Sequence, residues 1–354
     1  MSQQMPAGFT ILAIETSCDE TAAAVIRDGR EIVANSVASQ IDIHQRYGGV
    51  VPEVASRQHI LTITPVINTV LAQVPGGWSA INAVATTYGP GLAGALLTGI
   101  NTAKAIAWSR NLPFIGVNHL EGHIYASWLH TAKDLAYQAP EFPCVALIVS
   151  GGHTALVLLN DHGDYRLLGQ TRDDAVGEAF DKVARIMGLG YPGGPQMEKV
   201  ARGVNPGALK LPRAWLRGTY DWSFSGLKTA VLNVVNDRLG ERMEKVKLAE
   251  VDPAFTAQLA AAFQDSAVDV LVQKTVAAAR EYKAKTIILA GGVAANTALR
   301  ERLSATAKPI PVAYPPIWLC TDNAAMIGAA AYYRYQAGVQ QDWSLDATPS
   351  LKLI

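Results

Sequence analysis

Three cysteines in 354 residues, Cys18, Cys144 and Cys320, are too few and too scattered for a disulfide framework. None forms a CxxC pair, so a cysteine-rich zinc site is not indicated either. Charge is sparse and even. Lys plus Arg and Asp plus Glu both number 30, so no overall basic field draws the chain to a nucleic acid. An RNA partner then needs a local basic face or a helper subunit. The longest apolar stretch, "GLAGALLTGINTAKAIAW", is broken by Asn101 and Lys104 too soon for a membrane span. The opening "MSQQMPAGFT" lacks the basic start and apolar run of a secretion signal, so a cytoplasmic location is expected. There is no GxxxxGK[ST] motif, which excludes P-loop chemistry, and no H-E-x-x-H, which removes the general base of a zinc protease.

What is present is an ordered globular composition, 49% hydrophobic and 17% charged, in a chain longer than one core usually holds. Two domains are expected. The chain also repeats a grammar. "FTILAIETSCDETAAAVIRDGREIVAN" from Phe9 and "PCVALIVSGGHTALVLLNDHGDYRLLGQ" from Pro143 each read as strand, small-polar turn, strand, Gly-containing turn, strand. "INAVATTYGPGLAGALLTGINTAKAIA" and "KTIILAGGVAANTALRERL" each read as buried strand, Gly-rich turn, helix. A meander followed by a βα unit, twice over, implies a duplicated α/β fold with a central cleft, the organisation of the actin, sugar-kinase and Hsp70 group. The expected division is residues 9–118 for the first domain, completed by a C-terminal amphipathic helix at about 322–340, and 119–321 for the second, which would carry the metal and nucleotide loops.

Three Gly-rich turns sit at repeat-equivalent places: "YGPGLAG" (88–94), "SGGHT" (150–154) and "AGGVAAN" (290–296). Glycine removes the Cβ, lets backbone approach an anion and aims N–H groups at it, and a helix start adds its dipole. Together they favour binding of a nucleotide or nucleotidyl group. "NHLEGH" places His119 and His123 four positions apart, about 40° around a helix, on one face, with Glu121 turned away. Two nitrogens need a third donor to hold an ion. Asp322 in "LCTDNAAM" is the candidate, with Cys320 close enough in sequence to compete. Two His and one carboxylate with open positions suit Fe(II), and Zn(II) less well. On residues alone, a pair of core or surface histidines is the ordinary alternative.

Residues 199–228 hold six basic side chains, Lys199, Arg202, Lys210, Arg213, Arg217 and Lys228, against Asp221 alone. Trp215, Tyr220, Trp222 and Phe224 are interleaved. Cations for phosphates and flat rings for an unpaired base make this stretch the RNA-facing candidate, with Arg213, Arg217 and Lys228 its contacts. An ordinary loop whose aromatics fill the core is the competing reading. "YGGVVPEVASRQHILTITPVINTVL" reads as a loop and an amphipathic helix, the expected partner surface.

Taken in order, "ETSCDET", "YGGVVPEVASRQH", "GPGL", "NHLEGH", "SGGHT", "GEAFDKVARIMGLGYPGGP", "SFSGLKTA", "AGGVAAN" and "CTDNAAM" closely resemble the bacterial TsaD family, the tRNA N6-adenosine threonylcarbamoyltransferases. The likeness runs from Ile11 to about Gly338; the opening residues and the stretches "TAKDLAYQAP" and "VNDRLGERMEKVKLAEVDP" carry no motif. The resemblance implies an ASKHA-type fold. It also implies transfer of threonylcarbamoyl from threonylcarbamoyl-AMP to N6 of the adenosine 3′ of the anticodon, in tRNAs reading codons that begin with A. It assigns His119, His123 and Asp322 to a metal, usually iron. Ile148, Val149, Ser150, Gly151 and Gly152 fall to the substrate loop, and Asp181, Gly194 and Asn296 to further substrate contacts. Ile148 is a Leu-like replacement in that pattern. The implied partners are tRNA, a paralogous actin-like protein (TsaB) and a small P-loop ATPase (TsaE), with no membrane, and homodimerisation through the same surface as an alternative. ATP is a further candidate ligand.

For the base that takes the N6 proton, Asp19 is the first choice and Glu20 the second, with turn capping an equal alternative for both. Two rival functions share the fold. One is an ATP-dependent kinase, which leaves the histidines without a role; the other is a non-catalytic ATP-responsive assembly protein.

Overall fold

The structure is a computed structural model describing residues 5–134, 137–240 and 246–354. Residues 1–4 of the opening segment, and 135–136 and 241–245 of the two stretches without motifs, lie outside it. The chain forms two compact units: residues 1–140 with 315–354, and 141–314.

The first unit is built on strands β1 (Thr10–Glu15), β2 (Glu20–Arg27), β3 (Glu31–Ser39), β4 (Ala83–Gly89) and β5 (Phe114–Asn118). Its helices are α1 (Ile41–His44), α2 (Pro52–Leu71), α3 (Ala93–Arg110), α4 (His119–Tyr125) and α11 (Ala324–Gln336). The second unit has β6 (Cys144–Val149), β7 (Thr154–Asp161), β8 (Asp164–Gln170), β9 (Thr286–Ala290) and β10 (Val312–Ala313). Its helices are α5 (Val176–Met187), α6 (Gly193–Ala201), α7 (Ser225–Leu239), α8 (Leu248–Val251), α9 (Pro253–Glu281) and α10 (Thr297–Ala307).

The sheets have the orders β3-β2-β1-β4-β5 and β8-β7-β6-β9-β10, the same topology twice. In each, three strands run as an antiparallel meander, and the first pairs in parallel with the strand of the following βα unit, Ile11 opposite Ala83 and Cys144 opposite Thr286. The repeat read from the turns is therefore a repeat of the fold.

In the first unit, alternation along the strands sorts side chains between two layers. Leu12, Ile14, Ala23 and Val25 join Ile63, Val66 and Val70 of α2 and Ala103 of α3 in one core. On the other face α11 approaches so closely that a Cβ on Gly328 would meet Ile26 and Ala13 side chains. The expected amphipathic helix is in fact buried on every side from Ala324 to Ala331, because it packs on β1, β2, β5 and α4 together. After it the chain runs back along the sheet, Gln341 N–H to Phe114 O and Thr348 N–H to Tyr88 O, with Leu345 against the core.

The observed division departs from the one read in the sequence. Residues 119–140 and 315–321 belong to the first unit, because α4 is held against α11. In the second unit β6, β7 and β9 are buried beside α5 and the 29-residue α9, whose Asp252 N-cap accepts from Phe255 N–H at 3.1 Å. Among the described residues no helix is long and apolar enough to cross a membrane.

Candidate metal centre and nucleotide pocket

Asn118 ends β5 and caps α4, its Oδ1 accepting the Leu120 N–H at 2.9 Å, which leaves His119 and His123 on successive turns. Gly122, between them, faces α11. A Cβ there would stand 2.7 Å from Ile327 Cδ1 and 3.2 Å from Met326 Cγ, so a larger residue would have to push these side chains aside. The same approach delivers Asp322, just ahead of Asn323, which caps α11 by accepting Met326 N–H at 3.0 Å.

The three expected ligands therefore meet, all within the first unit. Asp322 Oδ1 is 3.4 Å from His119 Nε2 and 3.2 Å from His123 Nε2, and one donor atom from each residue lies within 4.8 Å of the others. Both His123 ring nitrogens are buried without a properly aligned hydrogen-bond partner. Burial lowers the His123 pKa. Burial also opposes charge on His119, but the Asp322 and Glu15 carboxylates outweigh it and hold that pKa well above the ordinary value. Two imidazoles, one of them unpartnered, converging on a carboxylate form a donor set short of a cation, which fits a divalent ion. Cys320 does not compete: its Sγ faces the carbonyl oxygens of Pro315 and Pro316. Glu121 does point away, 3.0 Å from Arg334 Nη1 on α11.

In the same unit Asp19 lies in the β1–β2 turn and Glu20 opens β2. Asp19 is buried, and its carbonyl accepts Gln40 N–H at 3.1 Å. Burial, together with the charges of Asp322 and Asp19, pushes Glu20 up to about 10, while Ser39 Oγ–H donates to it at 3.0 Å. Two further neighbours, to which the sequence alone gives no role, flank His119: Glu15 and Ser17.

The second unit holds a cavity of about 170 Å³ lined by Gly151, Asp181, Gly194 and Asn296 from the expected set. Phe180 and Gly292 join them. Ile148 and Val149 are not on its wall; they are fully buried in β6, and with Ser150 they shape the turn, Ser150 N–H donating to His153 O at 2.8 Å. Gly152 is also off the wall. The glycines fall into two kinds. Gly291 has φ +92°, and a Cβ there would stand 2.4 Å from Val149 O, so the fold itself demands glycine. Gly151, Gly194 and Gly292 lack positive φ, and a Cβ on each would meet nothing within 4 Å. Neither backbone nor packing requires glycine there, which leaves the space open to a ligand. Asp181 Oδ1 accepts Gly193 N–H at 2.7 Å, and burial raises its pKa. Asn296 caps α10 through Leu299 N–H and donates to Gln264 Oε1, both at 2.9 Å, keeping one donor and one acceptor site in reserve.

The basic stretch is only partly available. Arg213 is held by Asp265 at 2.7 Å and Asp269 at 2.8 Å, and Lys228 by Asp174 at 3.1 Å. Trp222 and Phe224 are core, and Tyr220 donates to Glu281 at 2.6 Å. Arg217 and Trp215 are exposed. Lys274 anchors their loop by donating to the carbonyls of Leu216, Thr219 and Asp221.

A duplicated actin-like α/β fold, with a His–His–Asp donor set in one unit and a glycine-lined pocket in the other, defines the class. Over residues 31–329 the chain matches the family model described as TsaD, tRNA N6-adenosine threonylcarbamoyltransferase. A protein of that name from Thermomicrobium roseum is 56% identical, covering 97% of each chain, and one from Geobacillus kaustophilus 52%, also covering 97% of each. The chain belongs to the TsaD family. Among solved structures, full-length HypF in its phosphate- and nucleotide-bound form shares the fold, with a TM-score of 0.56 at 12% identity over 95% of this chain and 47% of that one.

Proposed function

We propose that this chain transfers the threonylcarbamoyl group of threonylcarbamoyl-AMP to N6 of the adenosine 3′-adjacent to the anticodon in tRNAs reading ANN codons. The observation that carries the reading is the near full-length match to enzymes of that name at 56% identity. The adenosine N6 is a poor nucleophile, its lone pair delocalised into the ring, whereas the donor is an already activated mixed anhydride. N6 attacks the carbamoyl carbon, the bond to the phosphate oxygen breaks, AMP leaves, and the N6 proton passes to Asp19. Catalysis is then mostly positioning and stabilisation of developing charge.

Asp181 takes the ribose hydroxyls, Gly194 lets the nucleoside come close, Asn296 reads a polar base edge with its spare donor and acceptor, and the N–H groups of Ser150 to Gly152 hold the phosphate end. His119, His123 and Asp322 would hold the ion, Fe(II) rather than Zn(II), which when bound would polarise donor oxygens as a Lewis acid. ATP is a second candidate for the pocket. A tRNA-modifying role places the protein in the cytoplasm. The partner surface is assigned to α2 and α3, where Ile60, Leu61 and Leu97 are exposed, and its partners are TsaB and TsaE, or a second copy of the chain in place of TsaB.

Incubation with labelled threonine, bicarbonate, ATP, an adenylate-forming enzyme, the partner proteins and tRNA tests the function by the appearance of the modified nucleoside. Product absent here but present with a characterised relative sinks it. A phosphorylated product would favour a kinase, and nucleotide-dependent partner binding without transfer an assembly protein.

Two narrower outcomes follow. Gly194→Val should leave the melting temperature unchanged while AMP binding, read by calorimetry, weakens at least ~30-fold, since a branched side chain occupies ligand space. Gly291→Ala should instead cost roughly 3 kcal/mol of stability, from strain and overlap with backbone. Equal stability losses in both would remove the argument for the pocket. Arg217→Glu should weaken tRNA binding and lower the salt slope by about 1. Arg213 is the wrong residue to test, because a glutamate there faces Asp265 and Asp269. Unaltered salt dependence in Arg217→Glu would sink the RNA face.

A further inference from the structure

Glu15 ends β1 and is completely buried. A carboxylate in such a place is costly unless hydrogen bonds and a positive charge compensate it. Its Oε1 accepts the Ser17 backbone N–H at 2.6 Å, its Oε2 accepts the Thr87 hydroxyl, and Oε2 lies 3.4 Å from His119 Nδ1. Among the described residues its one ion-pair partner is His119.

Ser17 Oγ also touches Nδ1, at 3.1 Å. The two neighbours of Nδ1 do different things. A hydroxyl either donates or accepts, so it leaves the imidazole tautomer open. A carboxylate faces each ring nitrogen at 3.4 Å, Glu15 on Nδ1 and Asp322 on Nε2; once an ion is shared by Asp322 and Nε2, Glu15, which only accepts, keeps the hydrogen on Nδ1. Nε2 then presents its lone pair, and Nε2 is the atom that faces Asp322, the carboxylate that His123 Nε2 also faces.

We infer that Glu15 is the positioning residue of the His–His–Asp site, holding His119 through Nδ1 so that Nε2 is turned to the ion. The inference rests on the reading of that site as a metal centre.

Zn(II) titration of the purified full chain against a competing chelator tests it. Glu15→Gln keeps the size of the side chain, but its amide both donates and accepts, so that hold is lost. Its Zn(II) affinity should fall about 10–100-fold, and the visible spectrum of the Co(II) form should change. Ser17→Ala keeps the carboxylate and should stay within about fivefold of wild type. Equal affinity in wild type and Glu15→Gln overturns the inference while leaving the metal centre standing. No binding by the wild type removes the centre and the inference together. Should Glu15→Gln fail to fold, the wild type still decides. In the Zn(II)-loaded protein, nitrogen NMR of labelled histidine should show His119 coordinated through Nε2 and protonated at Nδ1; coordination through Nδ1 overturns the proposal.

Discussion

Replacing His123 with alanine should strip the chain of its divalent ion and cut tRNA modification at least ~100-fold, while the metal-free protein melts almost where wild type does. The first part follows from donor count, since His119 and Asp322 alone are too few to hold an ion against water. The second part separates a ligand from an ordinary core histidine. Both His123 nitrogens are buried without an aligned hydrogen bond, Nε2 having only the Asp322 carboxylate beside it at 3.2 Å, and a buried group left unsatisfied costs about 1–3 kcal/mol. Removing the ring relieves that cost and loses packing of similar size, so the metal-free stability moves by no more than ~1–2 kcal/mol. What disappears is the stabilisation by added metal, about 2.7 kcal/mol at a hundredfold excess over Kd. His59 is the contrast. It is equally buried, but Thr21 Oγ1 lies 2.8 Å from its Nδ1 and the Cys18 carbonyl 3.0 Å from its Nε2. His59→Ala should destabilise the protein with or without metal. Elemental analysis and thermal melts, each with and without added Fe(II) or Zn(II), read both variants. An ion retained at wild-type level by His123→Ala would sink the site.

The parts of the fold legible in the sequence are those that depend on neighbours along the chain. Strand–turn–strand alternation and Gly-rich turns before helices are local patterns, and they carried the duplicated topology to both sheets. His119 and His123 share a face because four positions make about one helical turn. What was not legible depends on distant partners. The boundary expected at 118 lies at 140, since α4 packs on α11 within the first unit. Arg213 is a free cation in the sequence but is met by Asp265 and Asp269 of α9, and of the two readings open for the aromatics, Trp222 and Phe224 follow the one that puts them in the core. Glu15 reads as a strand end in one dimension. Its role exists only where β1, β4 and α4 come together around its carboxylate.

Asp19→Asn should lower modification by about 10²–10⁴-fold, the usual contribution of a general base, with the melting temperature and metal content unchanged. The substitution keeps the shape of the side chain and the Asp19 carbonyl that holds Gln40 N–H, so the β1–β2 turn is not the thing removed. What is removed is the proton-accepting carboxylate of a buried side chain. Glu20→Gln gives the opposing measurement. With its pKa pushed up to about 10, Glu20 is already neutral at working pH, and glutamine imitates a neutral acid closely. Its activity should therefore stay within about tenfold of wild type. Single-turnover transfer from preformed adylate donor, threonylcarbamoyl-AMP, to excess tRNA isolates the step in which N6 gives up its proton. If Asp19→Asn turns over normally and Glu20→Gln does not, the two carboxyls exchange roles, and the charges of Asp322 and Asp19 that hold Glu20 neutral must be masked when the donor is bound. If both variants turn over normally, the proton leaves to water and the turn is a cap.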